Sequence, residues 1–365
     1  MKKIGIITIN DFFNYGNRLQ NYALTYFLQK MNKNYIVNSI WYSNDNIKIS
    51  RKYVNWGNIR RYIFNRHNYR NYINNHFLFY DIIREYNIKK FSDNYIETIP
   101  FCEIKSDDYE YFIVGSDQIW KPNAVNPNIA FLQFAGKHKR IAYAASFGVN
   151  KVNINKIDEI KKGLEGIDFL SVREYAGAKI VKDLTGKDVP VLVDPTLLLT
   201  TEEWDKIIER PVWYRDEKYI LVYFLSKLPD KIKKDIQILA DKYKLKIVDL
   251  MDRENIDYYC STPSEFLYLI KNCSLMYTDS FHGTLFSILN KKTFVTCSRE
   301  NVSMSIDSRI DTLLSMFSLK NRKISKNNNY EIVNPMEIEF PDVEKILDRE
   351  RERANKFLCK GMNID

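Results

Sequence analysis

Residues able to do chemistry stand where predicted strands give way to turns, and the densest group is Tyr277-Thr278-Asp279-Ser280-Phe281-His282-Gly283-Thr284. Apolar Leu275 and Met276 lead into it, and a stripe of Leu285, Phe286 and Leu289 leaves it. This reads as a short buried strand, a turn of helix-capping residue types and a helix. Such a turn aims backbone N–H groups and the positive end of a helix dipole at one point, which suits an anion. Ser280 and Gly283 shape that turn. His282 stands beside it, either as a proton-carrying group or as a residue that only caps or packs the helix start. Asp279 either orients His282 or caps the helix.

Other strand ends carry comparable groups. Ile4–Ile9 reads as a buried parallel strand, followed by the loop Asn10–Asn17 and a helix with Leu19, Tyr22, Ala23, Tyr26 and Phe27 at helical spacing. The loop lacks GxGxxG, so dinucleotide binding is not supported. Gly16 and Asn17 allow a tight turn, and Arg18 is either a ligand-facing cation or a solvated surface residue. Gly115-Ser116-Asp117-Gln118 ends the strand Tyr111–Val114. Asp117 there holds an acceptor hydroxyl or caps a turn. Ser171-Val172-Arg173-Glu174 places an Arg at a strand-to-helix turn, where a guanidinium can fork onto a carboxylate or phosphate, or pair with Glu174.

The elements that must position these groups alternate as strand and helix in both halves. Strands are expected at 35–41, 141–148, 169–172, 189–193, 219–224, 245–249 and 293–296, with helices near 56–92, 154–164, 229–243, 263–272, 308–317 and 341–358. Residues 320–330 are polar and expected to be exposed. The reading is an α/β chain of two doubly wound Rossmann-like domains facing across a cleft. The expected division is 1–199 as an N-terminal domain with Arg173, 200–340 as a C-terminal domain with His282, and 341–365 as a helix packing back on the first domain. Ligands of such sheets bind beyond the strand C-termini, so the turns at 14–18, 115–118, 146–148, 171–174 and 279–284 are expected to converge.

Composition narrows the partners. In 365 residues, 55 Lys and Arg against 46 Asp and Glu give a formal charge of +9. This fits an anionic substrate or membrane surface, and the absence of a long basic block argues against nucleic acid. The densest basic and aromatic region, Arg51 to Lys90 with Arg60, Arg61, Arg66, Arg70 and Arg84, is a solvated helical face or a dock for a membrane-linked acceptor. The five Cys lack metal-ligand spacing, which points to reduced thiols and a cytoplasmic protein; Cys297 reads as a small buried hydrophobe rather than a nucleophile. No His, Cys and carboxylate cluster suggests a metal, no cofactor is implied, and no apolar run is long enough to span a membrane.

From Ile4 to about Leu319 the chain resembles the polysaccharide pyruvyl transferase family. The likeness rests on an ordered series: Tyr15-Gly16-Asn17-Arg18-Leu19-Gln20-Asn21-Tyr22-Ala23-Leu24, Val114-Gly115-Ser116-Asp117-Gln118-Ile119-Trp120, Ala144-Ala145-Ser146-Phe147-Gly148, Ser171-Val172-Arg173-Glu174, Val193-Asp194-Pro195-Thr196-Leu197-Leu198, Thr278-Asp279-Ser280-Phe281-His282-Gly283-Thr284, and Ser308-Arg309. The resemblance implies a fold like that of B-type glycosyltransferases. It also implies transfer of the enolpyruvyl carbons of phosphoenolpyruvate onto two sugar hydroxyls, forming a ketal and releasing phosphate.

In the donor pocket of that family, Arg173 and His282 occupy matching positions, with Arg309 as the further basic residue and Arg299 its rival. Where the family often has Arg-Leu before the His, this chain has Ser280-Phe281. Asn17, Arg18, Ser280 and Gly283 are expected at the substrate, and Asp117 and Asp279 beside the chemistry. The partners implied are phosphoenolpyruvate and a glycan or lipid-linked oligosaccharide of a cell-surface polymer such as exopolysaccharide or capsule. The expected place is the cytoplasm, at the inner face of the membrane. Two alternatives share the residues: a B-type glycosyltransferase using a nucleotide sugar, since fold does not fix function, and a non-enzymatic binder of anionic polymer.

Overall fold

The computed structural model describes residues 2–42, 69–299, 307–326, 331–332 and 334–364. Strands β1 (Lys2–Ile7), β2 (Tyr35–Trp41), β3 (Thr98–Pro100), β4 (Tyr111–Val114), β5 (Arg140–Ala145) and β6 (Phe169–Val172) form one parallel sheet in the order β3-β2-β1-β4-β5-β6. Strands β7 (Tyr219–Tyr223), β8 (Lys246–Asp249), β9 (Leu275–Thr278), β10 (Phe294–Cys297) and β11 (Lys323–Ile324) form a second, ordered β11-β10-β9-β7-β8, again parallel. The fold is therefore two doubly wound Rossmann-like sheets, as expected. The order in which the chain adds strands reverses between β1 and β4 in the first sheet and between β7 and β9 in the second. These are the switch points at which open α/β sheets bind ligands.

The helices that matter for the site are α1 (Tyr15–Met31), α2 (Tyr69–Tyr95), α3 (Ile157–Glu165), α4 (Tyr175–Thr185), α5 (Asp230–Tyr243), α6 (Pro263–Asn272), α7 (Phe281–Leu289), α8 (Asp307–Met316) and α9 (Val343–Gly361). Apolar side chains that alternate along β1, β4 and β5 fill both faces of the first sheet. One set, with Phe112, Val114 and Ala142, meets Ile160, Leu164, Ile180 and Val181 of α3 and α4. The other set, with Ile4, Ile113 and Tyr143, belongs to a continuous cluster that also contains Met276, Leu285 and Phe286 of the second half. The halves join through rings: Tyr15 of α1 stacks on Phe266 of α6 at 4.7 Å, and Trp204 meets Tyr22 at 5.6 Å and Phe286 at 5.1 Å.

Helix α9 returns to the first sheet. Its buried residues Val343, Leu347, Ala354 and Leu358 lie on one face. Arg351 donates to the carbonyls of Leu197 and Leu199, each at 3.1 Å, and the Tyr111 hydroxyl donates to Met362 O at 2.7 Å. Among the described residues no helix is long and apolar enough to cross a membrane.

Three expectations change. Residues 189–193 form only the isolated bridge Val172↔Val191, because Pro190 has no N–H to continue a ladder. The stretch after 320 is not simply exposed: Lys323–Ile324 is an edge strand, and Arg322 is buried, donating to Phe294, Pro335 and Glu337 carbonyls at 2.9 Å each. Residues 327–330 lie outside the described residues, as do Arg51, Arg60, Arg61, Arg66 and the side chain of Arg70.

Arg84 departs from the solvated-face reading because it is wholly buried, whereas Lys89 and Lys90 further along α2 are exposed. Its guanidinium donates to Tyr15 Oη at 2.8 Å, to Phe13 O at 3.2 and 3.3 Å, to Leu250 O at 3.3 Å, and to Tyr259 O. It lies over the Tyr15 ring at 4.4 Å. Those acceptors come from both halves, so Arg84 is a rivet between them. Arg84→Ala strands several buried carbonyls and is expected to lower the unfolding free energy by on the order of 3 kcal/mol in urea melts. A loss below about 1 kcal/mol would mean that water reaches those carbonyls in the variant.

Candidate active site

The β4 strand ends in a turn that holds Asp117 at φ 57°, a left-handed conformation that Asp tolerates better than most residues. This turn aims the Asp117 carboxylate across the first switch point. Asn17, at the start of α1, donates to Asp117 Oδ2 at 3.1 Å. Asn17 Oδ1 in turn accepts from Arg18 at 3.1 and 2.5 Å, and Arg18 also reaches Ile9 O. Arg18 is buried, not solvated, and burial draws its pKa down to about 10. Arg18 thus braces the β1–α1 loop and Asn17, which itself supports Asp117.

At the end of β6, Arg173 is 3 % exposed. Its Nη1 donates to Asp194 Oδ2 at 2.5 Å and its Nη2 to Asp117 Oδ1 at 3.4 Å. Its neighbour Glu174 is not its ion-pair partner: Glu174 Oε1 accepts from Ser146 Oγ at 2.9 Å and Phe147 N at 3.2 Å. Asp194 is the hub. Besides Arg173 it accepts from Ser116 Oγ at 2.9 Å, Thr196 N at 3.0 Å and Thr196 Oγ1 at 2.8 Å.

The second half supplies the facing wall. Ser280 caps α7, its Oγ accepting from Gly283 N at 3.3 Å. Gly283 lets the helix sit tight on β9, since a Cβ there would lie 2.7 Å from Thr278 Oγ1. Both residues build the turn, and the Gly283 N–H is committed to the cap. His282 projects from the first turn of α7 and places Nε2 3.7 Å from Asp194 Oδ2, an ion-pair distance too long for a hydrogen bond. Phe281 presents its ring to Arg173 at 4.5 Å and Arg309 at 5.9 Å. Arg309, near the start of α8, stands 3.5 Å from Asp117 Oδ1. With the Gln118 amide oxygen turned towards it, Arg309 donates there at 3.1 and 2.8 Å.

Asp279 neither orients His282 nor caps the helix. Its carboxylate accepts from Leu225 N at 2.7 Å, Ser226 N at 2.9 Å and Ser226 Oγ at 2.5 Å, tying the β7 and β9 ends together at the second switch point. Arg299 stands 3.1 Å from the same carboxylate, and so serves Asp279 while Arg309 meets Arg173 and Asp117. Cys297 is fully buried, and burial pushes its thiol pKa well up, as suits an inert hydrophobe.

The electrostatics follow from this packing. Burial works to raise the Asp194 carboxyl pKa but is outweighed by His282, Arg173 and the Thr196 N–H, which hold it well below the usual carboxylate range. Asp117 behaves alike: burial raises it, and Arg173, His282, Arg309 and Asn17 together bring it down. Burial, with Arg173 nearby, lowers Arg309 to about 10. Glu174 goes the other way, since burial raises its pKa despite Arg173 and Arg309.

The expected turns therefore converge, bringing Asn17, Asp117, Arg173, His282 and Arg309 together, with Arg18, Ser280, Gly283, Asp279 and Arg299 as supports. Sequence reasoning did not single out Asp194, Glu174, Ser116 or Gln118. Asp194 and Glu174 both stood in the motif series, at strand ends beside Pro195 and Arg173. Among the described residues no three His, Cys, Asp or Glu side chains gather as a metal-ligand set.

The family model described as "Polysaccharide pyruvyl transferase" matches residues 14–301. The chain belongs to the polysaccharide pyruvyl transferase family. This match takes in every residue of the cluster except Arg309. No curated protein sequence matches this pyruvyl transferase family member. Similar solved structures include UDP-GlcNAc 2-epimerase from Methanocaldococcus jannaschii, at 11% identity and TM-score 0.48, covering 99% of this chain and 100% of that one. The Neisseria meningitidis UDP-GlcNAc 2-epimerase bound to UDP-GlcNAc has 10% identity and TM-score 0.44, covering 100% and 95%. The E. coli ADP-heptose lps heptosyltransferase II has 10% identity and TM-score 0.39, covering 99% and 98%.

Two outcomes test this assembly. A Cβ on Gly16 would lie 2.0 Å from His282 Nδ1 and 2.6 Å from His282 Cβ, so Gly16→Ala must push the halves apart or turn the imidazole. It is expected to cost about 1–3 kcal/mol by denaturant melts, and an unchanged melt would refute the contact. Asp194 has a folded pKa below the ordinary carboxyl value of 3.8, so its stabilisation is fully present above about pH 4 and is lost as pH falls further. Asp194→Asn leaves Arg173 without its main counter-charge and is expected to destabilise by about 3–5 kcal/mol at pH 7. That gap should narrow steadily below pH 4; a gap equal at pH 7 and pH 3 would contradict the pairing.

Proposed function

We propose that the chain transfers the enolpyruvyl carbons of phosphoenolpyruvate onto two hydroxyls of a sugar, forming a pyruvate ketal and releasing phosphate. The acceptor we infer is a cell-surface glycan or its lipid-linked precursor, met in the cytoplasm at the inner face of the membrane.

One observation carries the reading. Arg173 Nε, His282 Nε2 and Arg309 Nε are buried and lack hydrogen-bond partners among the described residues, and all three belong to the cluster between the switch points. Native folds rarely leave buried donors unpaired without a functional reason. Phosphoenolpyruvate offers a phosphate and a carboxylate, and guanidiniums pair with both. Arg309 is the less committed guanidinium, its carboxylate contact being 3.5 Å against 2.5 Å for Arg173 and Asp194. In this reading Arg309 takes the phosphate and Arg173 aligns the carboxylate. His282 supplies a proton as phosphate leaves, and Asp117 receives an acceptor hydroxyl. The buried cluster excludes water, which protects a cationic ketal centre from hydrolysis.

With phosphoenolpyruvate and a panel of glycan acceptors, the protein is expected to release phosphate and leave an acid-labile ketal. His282→Ala should lower turnover by about 10² to 10⁴-fold, while Arg309→Ala should act mainly on donor KM. Absence of both phosphoenolpyruvate binding and phosphate release across the panel would sink this reading. Binding of a nucleotide sugar instead would favour glycosyl transfer.

A further inference from the structure

We propose that Glu174 holds the proton that this site delivers to the donor's methylene carbon, an inference that rests on the ketal-forming reading above. Glu174 is wholly inaccessible and lies one residue beyond Arg173. Its two oxygens differ. Oε1 accepts from Ser146 Oγ and Phe147 N, whereas Oε2 is buried with no hydrogen-bond partner among the described residues. A carboxylate with one oxygen undonated in a dry site is costly, and protonation of that oxygen removes the charge.

Arg173 on the same turn and Arg309 from α8 favour the anion, as do the Ser146 hydroxyl and Phe147 N–H from the end of β5. The N-terminus of α4, which starts at Tyr175, also favours it. Burial opposes all of these and prevails, leaving the carboxyl pKa raised. Nearby Asp117 and Asp194 are shifted the other way. Carboxyls pushed apart in this manner mark the division between proton donor and fixed anion. The neutral acid also gives Oε2 a hydrogen to donate once a donor molecule enters.

The step balances. The Glu174 proton forms a C–H bond at the donor's methylene carbon, converting it to methyl and leaving the adjacent carbon electron-poor. One sugar hydroxyl oxygen bonds to that carbon, and its proton returns to the Glu174 carboxylate. The second hydroxyl then bonds there as the carbon–oxygen bond to phosphate breaks, and its proton leaves with the phosphate through His282. No oxidant or reductant is needed.

The test uses the full chain. Infrared spectra of the resting protein across a pH titration should contain a carboxylic-acid carbonyl stretch that persists to higher pH than those of exposed carboxyls and that Glu174→Gln abolishes. In the same variant, turnover should fall by about 10² to 10⁴-fold with donor KM changed by less than about threefold. Glu174→Asp, which keeps a carboxyl, should retain more turnover than Gln and keep a shifted band. No such band in the wild type, or wild-type turnover in Glu174→Gln, overturns the proposal. Melting curves identify an unfolded variant, in which case the wild-type band and Glu174→Asp decide. A wild type with the band but no phosphoenolpyruvate turnover would instead defeat the ketal-forming reading.

Discussion

Two buried carboxylates, Asp117 and Asp194, face two guanidiniums, Arg173 and Arg309, and the His282 imidazole, and the closed arrangement of the halves depends on those contacts. Each charge has been taken out of water at a cost of several kcal/mol, roughly, and only mutual pairing offsets it. The carboxylates and Arg173 belong to the first half; His282 and Arg309 belong to the second. Closing the halves and completing the site are therefore one event. Any anion entering must compete with carboxylates already present, so the closed arrangement favours a ligand that offers more negative charge, in better geometry, than the two Asp side chains do.

The same constraint explains the supporting residues. A carboxylate worth burying must be held still, and Asp117 is fixed by a left-handed backbone turn, Asn17 and Arg18. Strain of this kind persists only where surroundings over-determine it. Across the interface, Gly16 and Gly283 let His282 approach within van der Waals contact of α1 and let α7 approach β9. Asp279, although beside His282 in sequence, locks the two central strands of the second sheet so that the α7 N-terminus has a rigid base. Groups that look catalytic by type thus divide into those facing the shared centre and those holding the walls.

Much of this was legible in the sequence, for a physical reason. Parallel strands buried on both faces produce short apolar runs, and their ends are marked by small and polar residues. Hence Tyr277–Gly283 and Ser171–Glu174 announced the fold and pointed to the candidate site. What escaped has a different cause. The strand expected at 189–193 failed because apolar content cannot reveal a missing N–H ladder beyond Pro190. Arg84 read as solvated because charge normally is, and only tertiary packing brought carbonyls from two halves to it. Asp194 stood unremarked in its motif because nothing local says that Arg173 and His282 will arrive from elsewhere.

The departure from the family pattern before the His also acquires a physical reading. Where Arg-Leu is frequent, Ser280-Phe281 stands here. Ser280 does the capping, and the Phe281 ring lies against Arg173 at 4.5 Å and Arg309 at 5.9 Å. An aromatic face attracts a cation without adding charge. A further Arg in this place would add a third guanidinium beside Arg309, whose pKa is already lowered by burial first and by Arg173 second. Phe281 instead separates and steadies two guanidiniums while excluding water. The site so built has fewer fixed charges for an anion but a drier setting, in which each remaining charge acts more strongly.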